Sequence, residues 1–134
     1  MKVTTARGTI EAGDVGEGRP VVLLHALALS GRLFDPIAAE WAPRRRVITP
    51  DARGHGGSDW DGRPFTGEDM ADDVAALIET LVGGPADVIG MSMGGSTAVL
   101  LAQRRPDLVA RLVLADATAD YGPDRVESWA ERAE

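Results

Sequence analysis

Apolar and polar residues alternate along this chain in blocks, not residue by residue. Val21-Val22-Leu23-Leu24-His25 is a continuous apolar run opened by Gly18-Arg19-Pro20 and closed by a small-residue loop, which predicts a central strand. Arg46-Val47-Ile48-Thr49-Pro50-Asp51 predicts a strand that feeds the glycine-rich loop Asp51-Ala52-Arg53-Gly54-His55-Gly56-Gly57-Ser58-Asp59. Asp87-Val88-Ile89-Gly90-Met91 and Arg111-Leu112-Val113-Leu114-Ala115 are two further runs without polar alternation, so both faces of each are expected to be covered. Ahead of these, residues 3–18 read as an antiparallel hairpin with its turn near Gly13 to Gly18.

Helical periodicity fills the gaps. Thr66 is an N-cap residue with the Asp69 carboxylate three positions on, and Met70, Val74, Leu77, Ile78 and Leu81 then share one face until Gly83-Gly84-Pro85 stops the helix. A second helix is expected right after Met91-Ser92, running to Arg104-Arg105-Pro106, where cations suit the negative end of the dipole. A third, less regular one lies around residues 33–41. This alternation predicts an α/β fold with a mostly parallel sheet and helices on both of its faces. No internal repeat or low-complexity segment is present.

Composition narrows the chemistry. At 134 residues the chain is one domain or a piece of one, and 44% hydrophobic content is that of a folded globular protein. A formal charge of −7, with Arg44-Arg45-Arg46 as the one basic cluster, argues against a nucleic-acid partner. Without cysteine there is no disulfide, thiol nucleophile or thiolate metal site, and two histidines, His25 and His55, are too few for a typical zinc site. No metal or cofactor is expected. Residues 1–10 lack the apolar core of a secretion signal, and the longest nearly apolar stretch, residues 21–29, is about half of the roughly 20 residues that a membrane span needs. A soluble, cytoplasmic protein with no membrane partner is the expectation.

Gly90-Met91-Ser92-Met93-Gly94 matches Gly-x-Ser-x-Gly, the pattern of a serine on a sharp strand-to-helix turn. Five serines and 16 glycines give roughly 0.07 chance occurrences, so the pattern alone is weak; its position between a predicted strand and a predicted helix is what gives it weight. A serine hydroxyl is a poor nucleophile at neutral pH and must be exposed, held against a base and aimed where an oxyanion meets preorganised donors. Gly90 and Gly94 let strand and helix approach closely, and the N–H groups of the first helical turn, from Met93 onward, point at the reacting oxygen. The bland alternative makes Ser92 an ordinary N-cap and the glycines packing residues.

Leu23-Leu24-His25-Ala26-Leu27, then Asp51-Ala52-Arg53-Gly54-His55-Gly56-Gly57-Ser58-Asp59, then Gly90-Met91-Ser92-Met93-Gly94-Gly95, in this order and spacing, resemble the N-terminal half of the α/β-hydrolase superfamily. His25-Ala26-Leu27, with Leu112 to Pro123 and Trp129, is similar to the 3-oxoadipate enol-lactonase-like branch. The resemblance implies Ser92 as nucleophile, the backbone N–H groups of Leu27 and Met93 as the oxyanion hole, and a strand ending at His25 beside the strand ending at Met91. It implies structural roles for His25, which braces the oxyanion loop, and for His55, which ties down the turns permitted by Gly54, Gly56 and Gly57. Residues 1–118 would be the N-terminal part of the core and residues 119–134 the start of a helical lid, with Trp129 lining the substrate pocket.

The chain departs from the family pattern in one place. A serine triad in this fold takes its acid and then its histidine after the nucleophile, and residues 93–134 contain no histidine. Asp116, at the end of the last predicted strand, is a candidate acid; an end-of-strand turn residue is the alternative. The expectation is therefore a clipped, split or truncated hydrolase whose remaining strands, lid and histidine lie elsewhere, with a complementing chain or self-association covering the exposed edge of the Leu112 strand. The substrate would be a small ester or lactone, cleaved through an acyl-enzyme on Ser92. Amidase, thioesterase or perhydrolase chemistry stays open on the same scaffold, as does a non-catalytic binding protein or inactive remnant that keeps the pocket wall without the triad.

Overall fold

The computed structural model describes residues 1–117. In chain order the elements are β1 (Lys2–Thr5), β2 (Gly8–Val15), β3 (Arg19–Leu24), a 3-10 turn (Gly31–Phe34), α1 (Asp35–Trp41), β4 (Arg45–Pro50), α2 (Gly67–Leu81), β5 (Ala86–Met91), α3 (Met93–Arg104), a 3-10 turn (Pro106–Leu108) and β6 (Val109–Ala115). They build one sheet in the order β1-β2-β4-β3-β5-β6, antiparallel at β1/β2 and β2/β4 and parallel from β4 to β6. Alternate residues of β3 divide between two cores. Val22 and Leu24 face α2 and α3 with Ile48, Val74, Leu77, Ile78, Val88, Ala98 and Leu101, while Val21 and Leu23 face α1 with Phe34, Ala38 and Val47. Helices thus cover both faces of the parallel sheet, as the strand runs predicted.

The capping box at Thr66 forms as expected: the Asp69 N–H donates to Thr66 Oγ1 at 3.2 Å and the Thr66 N–H donates to Asp69 Oδ2 at 2.8 Å.

Two expectations are corrected. The hairpin turns at Ala6-Arg7, with Thr5 opposite Gly8, and not near Gly13 to Gly18. Gly13 instead lies inside β2, where a β-carbon would run into Thr49 Oγ1 of β4, so this glycine serves strand contact and not a turn. The second correction concerns β6. Leu112, Val113 and Leu114 are 38%, 51% and 36% exposed, because β6 is the terminal strand of the described sheet and only β5 flanks it. A continuous apolar run reports what a strand can bury; its neighbours decide whether it does. Among the described residues no helix is long and apolar enough to cross a membrane. The lid expected at residues 119–134, including Trp129, lies outside the described residues.

Candidate active site

Two loops meet at the C-terminal edge of the sheet, between β3 and β5. These strands are parallel neighbours with Leu24 opposite Gly90. Their onward connections run opposite ways, β3 to β4 on one side and β5 to β6 on the other. Such a reversal leaves a crevice at the strand ends, the usual place for a ligand in an open α/β sheet.

The turn from β5 into α3 forms the first wall. Ser92 has φ +51° and ψ −113°, a left-handed conformation that costs a non-glycine residue about 1–3 kcal/mol. Its neighbours make room. A β-carbon on Gly90 would overlap the Gly94 carbonyl, and one on Gly94 would overlap the Leu24 carbonyl at the end of β3, so strand, turn and helix touch backbone to backbone. The Ser92 carbonyl accepts the N–H groups of Gly95 and Ser96 at 2.8 and 3.1 Å, and the Ser92 N–H donates to Ala115 O of β6 at 3.2 Å. The hydroxyl caps nothing. An ordinary N-cap serine has extended backbone and bonds the second or third helical N–H; Ser92 holds the N-cap position of α3 with neither feature. Met93 follows as the first residue of α3, and its N–H has no acceptor within the helix.

The segment after β3 forms the second wall. The Leu29 N–H donates to Ala26 O at 3.2 Å, closing a tight turn in which Ala28 has φ +62°. Leu27 stands at the turn's crest, 67% exposed, and among the described residues its N–H enters no hydrogen bond. The packing of Gly94 against Leu24 and His25 carbonyls brings this turn next to the start of α3.

Both histidines serve this junction. His25 is 1% exposed; its Nδ1 donates to Ala26 O at 2.8 Å and its Nε2 accepts the Ala52 N–H at 2.9 Å. Burial holds its pKa below the ordinary histidine value, in keeping with a neutral ring that accepts a hydrogen bond. The His55 Nδ1 donates to Arg53 O at 3.0 Å, and its Nε2 accepts the Ala28 N–H at 3.2 Å. The ring therefore does more than secure its own loop: it reaches the turn after β3. Neither histidine has a ring nitrogen left to act on Ser92.

Asp116 directly follows the Ala115 carbonyl that receives the Ser92 N–H. It is exposed and left-handed, φ +49°, a conformation that aspartate tolerates better than most residues. Two further features escape a reading of the sequence. Asp51 ties the segment after β3 to the glycine-rich loop, its Oδ1 accepting the Gly31 N–H at 2.7 Å and its Oδ2 the Gly57 N–H at 2.8 Å. Arg53 and Asp73 form a buried two-bond ion pair at 2.9 and 2.7 Å beneath the junction. An aspartate at position 73, on the same helical face as Met70, Val74 and Leu77, is the signal that such a partner exists. The cavity that touches Arg53, Asp73, Met93 and Gly94 encloses about 20 Å³, room for about one water. Among the described residues no cluster of three or more histidine, cysteine or acidic side chains is placed to hold a metal.

Comparison with known proteins agrees with this geometry. Residues 19–133 match the sequence profile of the alpha/beta hydrolase fold. A 2-(acetamidomethylene)succinate hydrolase of Mesorhizobium japonicum is 34% identical over 117 residues, 87% of this chain and 42% of that protein. A thermophilic esterase from Thermogutta terrifontis superposes with TM-score 0.87 at 34% identity, covering 99% of this chain and 52% of the esterase. The enol-lactonase from Burkholderia xenovorans does so with TM-score 0.87 at 31% identity, over 99% and 52% of the two chains. The chain thus spans about half the length of these relatives, which are hydrolases. With a profile match over most of its length and a serine on a strained strand-to-helix turn, the chain belongs to the α/β-hydrolase family and carries the N-terminal part of that fold.

Proposed function

We propose that Ser92 is the nucleophile of an ester or lactone hydrolase. One observation carries the reading: Ser92 is held at φ +51° at the meeting of two parallel strand ends, with a hydroxyl that makes no cap bond to the helix it opens. A strained residue needs a return on its cost, and here capping does not supply it. In the proposed reaction Ser92 Oγ attacks the acyl carbon and passes its proton to a base. The carbonyl oxygen becomes an oxyanion taken up by the N–H groups of Leu27 and Met93, neither of which has another partner among the described residues. Collapse of the tetrahedral intermediate expels the alcohol oxygen, which takes that proton; in a lactone this oxygen stays tethered to the acyl group. Water then repeats the sequence and releases the acid. The esterase and enol-lactonase relatives favour this bond class over amide or thioester.

The base is a histidine from outside residues 1–134, because both histidines of this sequence have both ring nitrogens engaged. The exposed outer edge of β6 is where the completing polypeptide adds, whether as more of one chain or as a separate one. A groove of about 450 Å³ on the α1 face, lined by Trp41, Ile89, Arg111 and Val113 among others, supports this reading. Asp116 is the acid in the proposal if the base histidine lies over β6.

The committed histidines also favour a second reading, a binding protein that keeps the site wall without turnover. Intact-mass analysis after treatment with a fluorophosphonate separates the two. Labelling of one site, given the completing polypeptide and lost in Ser92→Ala, is the expected result. No labelling in a folded, completed sample would move the conclusion to the binding reading.

A further inference from the structure

The two histidines form a reciprocal clasp. A backbone N–H can donate only to an unprotonated ring nitrogen, so His25 and His55, each receiving one at Nε2 and each facing a carbonyl at Nδ1, both carry their single proton on Nδ1. His25, at the end of β3, takes the Ala52 N–H of the glycine-rich loop. His55, in that loop, takes the Ala28 N–H of the turn after β3. Each loop lends its histidine to the backbone of the other, and the rings lie 5.2 Å apart, inclined at 58°.

The bond to Ala28 fixes a specific peptide plane. In the turn from Ala26 to Leu29 the middle peptide joins Leu27 to Ala28, and its N–H points at His55. A peptide flip here would convert the turn to the form with negative φ at both central residues, relieving Ala28 from φ +62°. Alanine has no intrinsic reason to stay on the left-handed side. The bond to His55 supplies the reason, and the flip would change ψ of Leu27.

We propose that His55 is a positioning residue for the oxyanion loop: its Nε2 anchors the Leu27–Ala28 peptide and so keeps in one shape the turn whose crest carries the Leu27 N–H. The inference rests on the reading of Leu27 as an oxyanion donor. His25, at the end of β3, stands beside the ring, and Asp51 and Glu11 of β2 line the same loop at Gly56 and Gly57. Arg53 is turned away into its pair with Asp73.

The test uses two variants that divide the ring's functions. In His55→Gln the amide oxygen can replace Nε2 as acceptor for Ala28, whereas in His55→Asn the amide N–H replaces only Nδ1, toward Arg53 O. Long-range nitrogen–proton correlation on the full chain is expected to show Nδ1–H on both histidines. The Ala28 amide is expected to exchange about tenfold faster in His55→Asn than in wild type or His55→Gln. With the completing polypeptide, fluorophosphonate labelling should slow about tenfold to hundredfold in His55→Asn and recover in His55→Gln. An Nε2–H tautomer, Ala28 exchange unchanged in a folded His55→Asn, or equal labelling by the two variants would overturn the proposal. If wild type does not label at all, the Ser92 reading fails, and the exchange data alone then decide whether the clasp exists.

Discussion

Gly94→Ala sets two known effects against each other at one position. Gly94 is the second residue of α3, and helix propensity favours alanine over glycine by about 1 kcal/mol. Against that, the added β-carbon would overlap the Leu24 carbonyl and lie 2.8 Å from His25 O. Neither neighbour is a flexible side-chain tip. Leu24 is paired with Gly90 in the middle of the sheet, so β3 stays and the first turn of α3 must retreat, by about 1 Å to restore van der Waals contact. Overpacking of this kind costs about 1–3 kcal/mol, and a backbone-to-backbone clash belongs at the upper end. The net expectation is a loss of about 2 kcal/mol, roughly 6 °C in Tm or about 1 M in the urea midpoint.

The control is Gly84→Ala, a glycine with nothing within 4 Å of an added β-carbon and without a positive φ. It should be neutral or stabilising by about 0.4–1 kcal/mol through the unfolded chain. Urea unfolding of both variants beside wild type is the assay. The retreat of α3 also moves the Met93 N–H, so a completed enzyme should lose about a hundredfold in labelling rate. A Gly94→Ala protein as stable as Gly84→Ala would refute the claim that strand and helix meet at backbone contact, and with it the steric account of the Ser92 turn.

Other consequences follow from the same structure. Ser92→Gly and Ser92→Ala both abolish labelling, but glycine relieves the positive φ, so its unfolding free energy should exceed that of the alanine variant by about 1 kcal/mol; equal midpoints would count against strain at Ser92. His25 has a pKa held down by burial in the folded state, so the unfolded chain binds its proton first. Its stability contribution is complete above about pH 6.5 and is lost as pH falls toward the lowered folded value, at up to about 1.4 kcal/mol per pH unit, a slope that His25→Gln should remove from urea midpoints measured over that range. Asp73→Ala strands a buried guanidinium and should cost about 3–5 kcal/mol, whereas Arg53→Met with Asp73→Leu should stay within about 1 kcal/mol of wild type in the same assay.

What the sequence reveals and what it conceals divides on whether the determinant is local. The Ser92 turn is legible because its sterics demand small residues at fixed offsets, and Gly90 and Gly94 stand there. The start of α2 is legible because Thr66 and Asp69 satisfy each other within one turn. The hairpin turn at Ala6-Arg7 is not, since neither residue is a strong turn former, while Gly13 looks like a turn residue and serves cross-strand contact with Thr49. The histidine clasp joins residues 27 positions apart in both of its bonds, and no periodicity or motif records such a pairing. Exposure of Leu112 to Leu114 reflects the place of β6 at the end of the sheet that the described residues form, a property of the sheet and not of the strand.

In the proposed reading, the same strand gives the base a direction of approach. Ser92 N–H bonds Ala115 O, so the C-terminal end of β6 lies immediately beside the proposed nucleophile. Neighbouring strands in a sheet are about 4.8 Å apart. A further strand added parallel to the free edge of β6 ends within about 10 Å of Ser92, measured across two strand spacings, and the loop leaving it opens onto the same C-terminal crevice. A histidine on such a loop reaches Ser92 Oγ from the β6 side, opposite the turn that carries Leu27. On that proposal the base and the oxyanion donors would stand on opposite flanks of the serine, as acyl transfer requires. In the proposed reading, the exposed edge and the uncommitted hydroxyl are therefore two aspects of one requirement: the polypeptide that covers Leu112 to Leu114 is also the one that supplies the proton acceptor.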